Sequence, residues 1–298
     1  MGWRVIYIED SDRMTLYLDN LKVTKMEQQE VLVPLKDIHS LIIDNYKLVI
    51  SVQLISKCAE NNINVVICGI DHNPRAILIP QSGHHQMALE LRKQISWDSD
   101  KKKLVHQALI RMKINNQINV INRLGINHSG LVHMYSFYNS VELGDITNRE
   151  GLAAKVYFRI LFGDKFQRFE DDVINAGLNY GYSVLRSMIN KVIVSKGLIG
   201  ALGIIHYGPA NMFNLSDDII EPFRPIVDEW VYSNLRLCEE FTKEHRHELI
   251  RITTRKISIN QQKHTIFNGV VLLVESMINY FEGVSSDLAA PSLIVDDL

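Results

Sequence analysis

The chain predicts an α+β fold, with a small β-rich N-terminal domain followed by a mostly α-helical C-terminal domain. Three observations predict it. Up to residue 86, short runs of β-branched and aromatic residues are separated by Asp, Ser and Asn turns. From residue 87, long segments carry apolar residues at helical spacing. With 298 residues, 46% of them hydrophobic and 22% charged, the chain can build one large core or two ordinary ones.

The elements follow in order. Residues 5–8, 14–18, 21–25, 30–34 and 39–43 read as strands, because each is short, rich in Val, Ile, Leu or Tyr, and bounded by turn formers. Residues 50–61 read as a helix with Val52, Ile55 and Ala59 on one face. Strands at 64–68 and 75–80 are split by the turn Asp71-His72-Asn73-Pro74. Helices are expected at 87–95, 102–123, 150–162, 171–195, 226–243 and 267–281. The expected organisation is a β-rich domain at 1–86, a helical domain at 87–284, and an acidic tail at 285–298 that is mobile or partner-bound.

Charge and cysteine usage narrow the function. A net charge of −2 excludes a basic coat for nucleic acid, so any contact with DNA needs local positive charge or a metal. Cys58, Cys68 and Cys238 are an odd set without a CxxC pair, which argues against a disulfide framework or zinc knuckle and for a reduced cytoplasm. All three sit in apolar runs and read as inert core. The N-terminus lacks the shape of a signal peptide, and no apolar run reaches the roughly 18 residues of a membrane span.

The chemistry concentrates at residues 206–225. Here His206 follows an apolar run, Asp218 and Glu221 lie three apart on one helical face, and Pro222 and Pro225 suit a first helical turn. The ordinary structural reading is a dipole-matched acidic helix start beside a packed histidine. The chemical reading is a divalent metal site, which needs a third donor. Glu150 qualifies, since Asn148 can cap its helix and places it in the first turn. Asp145, Glu142, Glu170, Asp171 and Asp172 compete, and spacing does not choose among them. An imidazole with two carboxylates suits Mg²⁺ or Mn²⁺ and, through them, a phosphodiester.

Candidate DNA contacts are Arg224 beside Glu221, Lys101 and Lys102 in a lysine run that otherwise reads as a solvated linker, Arg246 and Arg251 in a second basic stretch, and Arg75 on a strand of the first domain. His84-His85 and His245-x-His247 lack zinc spacing and read as loop or DNA-facing residues. Gly197, Gly200 and Gly203 read as turn or packing glycines, not a nucleotide loop. Tyr157, Tyr180 and Tyr182 read as core.

These same segments resemble the CRISPR-associated integrase-endonuclease family, the universal first Cas protein of spacer acquisition, across essentially the whole chain. Glu150-Gly151-Leu152-Ala153-Ala154 is similar to the start of the family's glutamate helix, and Asn175-Ala176-Gly177-Leu178-Asn179-Tyr180-Gly181-Tyr182 to its Asn-rich helix. The run from Gly197 into His206 resembles the segment leading to the metal histidine, and Asp218-Ile219-Ile220-Glu221-Pro222-Phe223-Arg224-Pro225 the acidic, proline-bracketed signature. The resemblance implies Glu150, His206 and Glu221 as metal ligands and Asp218 as a supporting carboxylate. Many relatives carry Asp at the place of Glu221. It also implies metal-dependent cleavage and strand transfer of double-stranded DNA (protospacer and CRISPR repeat) in the prokaryotic cytoplasm. The expected assembly is a homodimer, through the first domain, in a larger integrase complex with the small second Cas protein. Tyr207-Gly208-Pro209 is similar to the type II-A branch, which adds the effector nuclease and a ring-shaped accessory protein as partners. The rival readings are a non-catalytic DNA-end-binding scaffold of that assembly and an unrelated metal phosphoesterase.

Overall fold

In the computed structural model, which describes residues 4–25, 30–70, 74–78 and 86–293, the early alternating runs form β1 (Arg4–Ile8), β2 (Arg13–Tyr17), β3 (Asn20–Thr24), β4 (Glu30–Pro34), β5 (Ile38–Ile43), β6 (Val49–Ile50), β7 (Asn64–Cys68) and β8 (Pro74–Leu78). One sheet has the order β1-β5-β7-β8, parallel except for β8; the other has the order β4-β3-β2-β6. β5 is buried along its whole length, as its near-continuous apolar run requires of a central parallel strand. The β2–β3 hairpin turns on Leu18 and Asp19, both at positive φ, a primed turn that matches strand twist. Met14, Leu21, Leu54 and Ile63 close the core of this unit at 1% exposure or less. Burying each such side chain is worth about 1.5–3 kcal/mol.

Helix α1 (Val52–Glu60) is capped by Ser51, whose hydroxyl accepts from the Leu54 N–H at 3.3 Å. Its buried stripe is Leu54 and Cys58, whereas Val52 is exposed, so the face expected from Val52, Ile55 and Ala59 is corrected by one rotation step.

The chain divides into two compact units, Met1–Glu90 with Val194–Leu198, and Leu91–Ile193 with Ile199–Leu298. The helices are α2 (Met87–Ile95), α3 (Ser99–Arg123), α4 (Leu131–Asn139), α5 (Arg149–Phe162), α6 (Val173–Ser195), α7 (Asn214–Ile219), α8 (Arg224–Leu235), α9 (Lys243–Arg251) and α10 (Ile266–Glu282). α3 is the axis of the second unit. Asp98 caps it, and Leu109, Ile110, Ile114 and Ile121 are fully buried along it. Asn116, also fully buried, donates to the Pro222 and Pro291 carbonyls at 2.8 and 3.0 Å and accepts from the Leu293 N–H, which ties two segments, at 222 and 291–293, to α3. Gly181 lets α6 meet α8: a Cβ there would lie 2.5 Å from Val227 Cγ1.

Several expectations are corrected. The helix expected at 226–243 ends at Leu235, and α9 begins at Lys243 after Thr242, whose N–H donates to His245 Nδ1 at 3.1 Å. His245 therefore caps a helix and stacks on Phe241 instead of lining a loop. A hairpin of β9 (Lys256–Ile259) and β10 (Gln262–Thr265) interrupts the helical unit; its turn residues Asn260 and Gln261 take positive φ without a glycine to announce it. Cys58 and Cys68 are buried, but Cys238 is exposed beyond the end of α8. Residues 291–293 are packed, with Ser292 bridging to Ser258 and Leu293 buried. His84, His85 and the turn at 71–73 lie outside the described residues. Among the described residues no helix is long and apolar enough to cross a membrane.

Candidate metal centre

The second unit gathers its charged side chains where α3, the start of α5 and the segment 203–224 meet. Glu150 is set by its helix start. Asn148 takes the left-handed conformation and accepts from the Gly151 N–H, while Asp145 accepts from the N–H groups of Arg149 and Glu150 at 2.8 and 2.9 Å. Glu150 thus stands in the first turn of α5 with its side chain 27% exposed.

His206 is set by Asp218. The Asp218 carboxylate, completely buried, accepts from the backbone N–H groups of Ile204, Ile205 and His206 and from His206 Nδ1 at 2.7 Å. Because both Asp218 oxygens act as acceptors, the ring proton belongs on Nδ1, and Nε2 presents its lone pair outward. That bond comes first among the causes that raise the His206 pKa. It is the arrangement that orients metal-bound histidines. Gly203 makes it possible, since a Cβ would fall 2.3 Å from the His206 carbonyl oxygen and 2.9 Å from Asp218 Oδ2.

Glu221 opens the short 3₁₀ turn Glu221–Phe223, where Pro222 needs no N–H partner. Its carboxylate faces two cations. Arg224 Nε donates to Oε1 at 2.9 Å, and Lys113 Nζ lies 2.5 Å from Oε2. The same ammonium donates to Glu150 Oε1 at 2.6 Å. Burial alone would raise the Glu221 pKa, but the Arg224 and Lys113 charges outweigh it and the net shift is downward. Burial likewise opposes the Lys113 charge, and Glu221 and Glu150 outweigh it.

Among the described residues no three His, Cys, Asp or Glu side chains stand grouped closely enough to hold a metal ion. Glu150 and Glu221 instead share the Lys113 ammonium, and His206 feels the Glu221 charge. The residues nevertheless fit a hard divalent cation. Glu221 Oε2 is buried and faces the Lys113 ammonium at 2.5 Å, a place already suited to a cation, and His206 keeps Nε2 for a ligand.

Two groups escaped the sequence reading. Lys113 and His106 lie seven residues apart on the buried stripe of α3, and polar residues at core positions were the available signal. Burial lowers the His106 pKa against the charges of Glu150, Asp218 and Asp145. The other group is a cavity of about 290 Å³ lined by Arg168, Arg186 and Arg224 together with Asn179, Tyr182 and Ser183. Arg224 stacks 4.6 Å from the Tyr182 ring, and Arg168 5.7 Å from the same ring.

Of the sequence-derived DNA candidates, Arg224 is at the centre and Lys102 lies 6.0 Å from the ring of Tyr207, next to His206. The lysine run is no linker but the first turn of α3, and Lys101 donates to the Tyr280 and Phe281 carbonyls at the end of α10. Arg246 and Arg251 lie on α9, and Arg75 lies on β8 of the first unit.

Behind Arg224, Tyr182 donates to the buried Asp228. Burial, partly offset by Tyr182 and Arg224, pushes the Asp228 pKa up from 3.8 to about 7. A raised folded-state value means stability present below pH 3.8 and lost as pH rises through about 7. Asp228→Asn should therefore flatten the fall in urea midpoint between pH 5 and pH 8; equal pH dependence in variant and wild type would contradict the assignment.

Comparison with known proteins gives a consistent result. The family model described as CRISPR associated protein Cas1 matches residues 6–262. The chain is 32% identical over 301 residues to the CRISPR-associated endonuclease Cas1 of Neisseria meningitidis serogroup C (strain 8013), covering 100% of this chain and 97% of the relative. Among solved structures it is similar to a casposase bound to integration product, with a TM-score of 0.81 at 20% identity over 99% of this chain and 96% of that one. It is also similar to a chain of a Cas6-RT-Cas1–Cas2 complex, with a TM-score of 0.77 at 16% identity over 99% of this chain and 36% of that one. At these identities the two structural likenesses speak for the fold.

Proposed function

The chain belongs to the Cas1 family of CRISPR-associated proteins, and from that premise we propose that it is a metal-dependent DNA endonuclease and integrase that inserts short foreign duplexes into a CRISPR array. The observation that carries the reading is the Glu150–Lys113–Glu221 arrangement, buried at Lys113 and Glu221, beside an Asp218-oriented His206, in the same unit as the arginine-lined cavity. Glu150, His206 through Nε2, and Glu221 would hold Mg²⁺ or Mn²⁺. Such an ion supplies Lewis-acid activation of an attacking hydroxyl and neutralises charge building on the phosphate.

The remaining work falls to the chain itself. Asp218 fixes the His206 ring, and Arg224 holds Glu221 from the side away from Lys113. Arg168, Arg186 and Arg224 offer planar donors for phosphate oxygens and so hold a DNA strand against the reacting position. A 3′-oxygen of the incoming duplex attacks phosphorus at a repeat boundary. One P–O bond forms, one breaks, and the departing 3′-oxygen takes up a proton. Bond number is conserved, so no nucleoside triphosphate is consumed. With water as nucleophile the same exchange is cleavage.

The partners follow by analogy. The similar casposase, bound to its integration product, supports a DNA substrate, and the similar chain of the Cas1–Cas2 complex supports assembly with the small second Cas protein. Exposed Tyr17, Leu18, Val31 and Leu32 on the edge sheet of the first unit support a homodimer. The type II effector nuclease and ring-shaped accessory protein rest on Tyr207-Gly208-Pro209.

A half-site integration assay tests the reading, using a labelled 3′-OH duplex and a repeat target with Mg²⁺ or Mn²⁺, with and without the second Cas protein. Joined product is expected only with metal. DNA binding without joining would mean a scaffold, and indifference to DNA would mean another phosphoesterase. Arg186, which is 3.7 Å from Asp217 and part-exposed, gives a separate check of the cavity. Arg186→Ala should weaken DNA binding and lower the slope of log K against log salt by about 0.7–0.9, read by fluorescence anisotropy; an unchanged slope would remove the cavity from the DNA path.

A further inference from the structure

Lys113 does not belong to the donor set, yet it stands in the middle of it. Its Nζ is 2.6 Å from Glu150 Oε1 and 2.5 Å from Glu221 Oε2, while its side chain is only 9% exposed. Mg²⁺ holds oxygen donors at about 2.0–2.1 Å. The ammonium therefore occupies a point about half an ångström beyond ligand distance from both carboxylates at once, which a small inward shift of the two side chains would close. A divalent ion bridging Glu150 and Glu221 and this ammonium cannot share that point.

Charge leads to the same conclusion. With the Asp218 carboxylate behind His206 included, Glu150, Glu221 and Asp218 face Lys113 and Arg224, so the cluster holds one negative charge in excess. A divalent ion added with Lys113 in place would turn that into a positive excess where Glu221 is 7% exposed and screening is weak. Removing one carboxylate's partner without replacement is equally unfavourable, because two like charges would then face each other. Of the two cations, Lys113 is the one suited to leave. Arg224 is held by a good hydrogen bond to Glu221 and by the Tyr182 ring. Lys113 carries its charge on a flexible four-carbon stem, and the two carboxylates it meets, Glu150 and Glu221, are the ones a metal would take.

Resting on the metal reading above, we propose that Lys113 is a built-in exchange cation: it bridges Glu150 and Glu221 in the metal-free protein, keeps the two carboxylates facing one another, and is displaced when a divalent ion binds. The two carboxylates are thereby brought together before the metal arrives, and metal affinity is set by competition with the protein's own ammonium.

The test is isothermal titration of the full-length protein with MnCl₂, comparing wild type, Lys113→Met, Lys113→Arg and Glu150→Gln. Lys113→Met should bind Mn²⁺ about tenfold or more tightly, because no internal cation opposes the ion; Lys113→Arg should stay at or below wild-type affinity. In EDTA, Lys113→Met should melt below wild type, and saturating Mn²⁺ should raise its Tm by more than it raises that of wild type. If wild type binds Mn²⁺ and Lys113→Met binds no more tightly, the exchange is overturned while the metal site stands. If wild type shows no Mn²⁺ uptake that Glu150→Gln abolishes, both are overturned. Should Lys113→Met not fold, wild type labelled with ¹³C at lysine Cε decides the matter. The Lys113 resonance, assigned with Lys113→Arg, should move on saturation with Mg²⁺; a resonance that stays put with Mg²⁺ bound overturns the exchange.

Discussion

Purified His206→Ala and Glu150→Gln proteins should keep their fold and lose strand transfer by at least about 10³-fold. Removing a single donor to developing charge commonly costs about 10²–10³ in rate, and a metal ligand serves both the hydroxyl and the phosphate. The fold should survive for reasons visible in the structure. The His206 side chain is 46% exposed, and its loss leaves the three backbone donors of Asp218 in place. Glu150→Gln keeps the volume and an oxygen for Lys113, whose charge remains matched by Glu221. Gel analysis of half-site products, with a thermal melt of each variant, checks both parts. Product at wild-type level from a folded Glu150→Gln protein would refute the site.

Glu221 behaves differently. Glu221→Gln should lose activity and also destabilise the protein by about 3–5 kcal/mol, the usual cost of stripping one partner from a buried ion pair. Its side chain is 7% exposed and serves both Lys113 and Arg224, and Lys113, itself 9% exposed, has little water to turn to. The loss should appear in urea unfolding in EDTA. Adding Lys113→Met to Glu221→Gln should recover part of it, a coupling expected of side chains in direct contact. A loss below about 1 kcal/mol, the scale of an exposed pair, would mean that Glu221 is not the hub described here.

The sequence carried the fold class and most elements, since period-2 runs and long helical spacing are local signals. It carried the start of α5 as well, because Asn148 and Glu150 obey capping rules that need no tertiary context. It missed the β9–β10 turn, where Asn260-Gln261 takes the conformation usually reserved for Asn-Gly. It ran α8 too far because nothing between Leu235 and Thr242 is a helix breaker. At the site, His206, Asp218 and Glu221 stood out as residue types within one short segment. Lys113 did not, because a lysine on a helix is ordinary until the helix is known to be buried on nearly all sides. Arg168 and Arg186 join Arg224 only through the meeting of distant segments, which no spacing encodes.

Diffraction from crystals soaked in MnCl₂, collected for the anomalous signal of manganese, tests the central claim most directly. The account predicts one strong peak contacted by Glu150, His206 Nε2 and Glu221, with the Lys113 ammonium moved away. A strong peak elsewhere, or none under conditions in which the same protein integrates DNA with Mn²⁺, would contradict it.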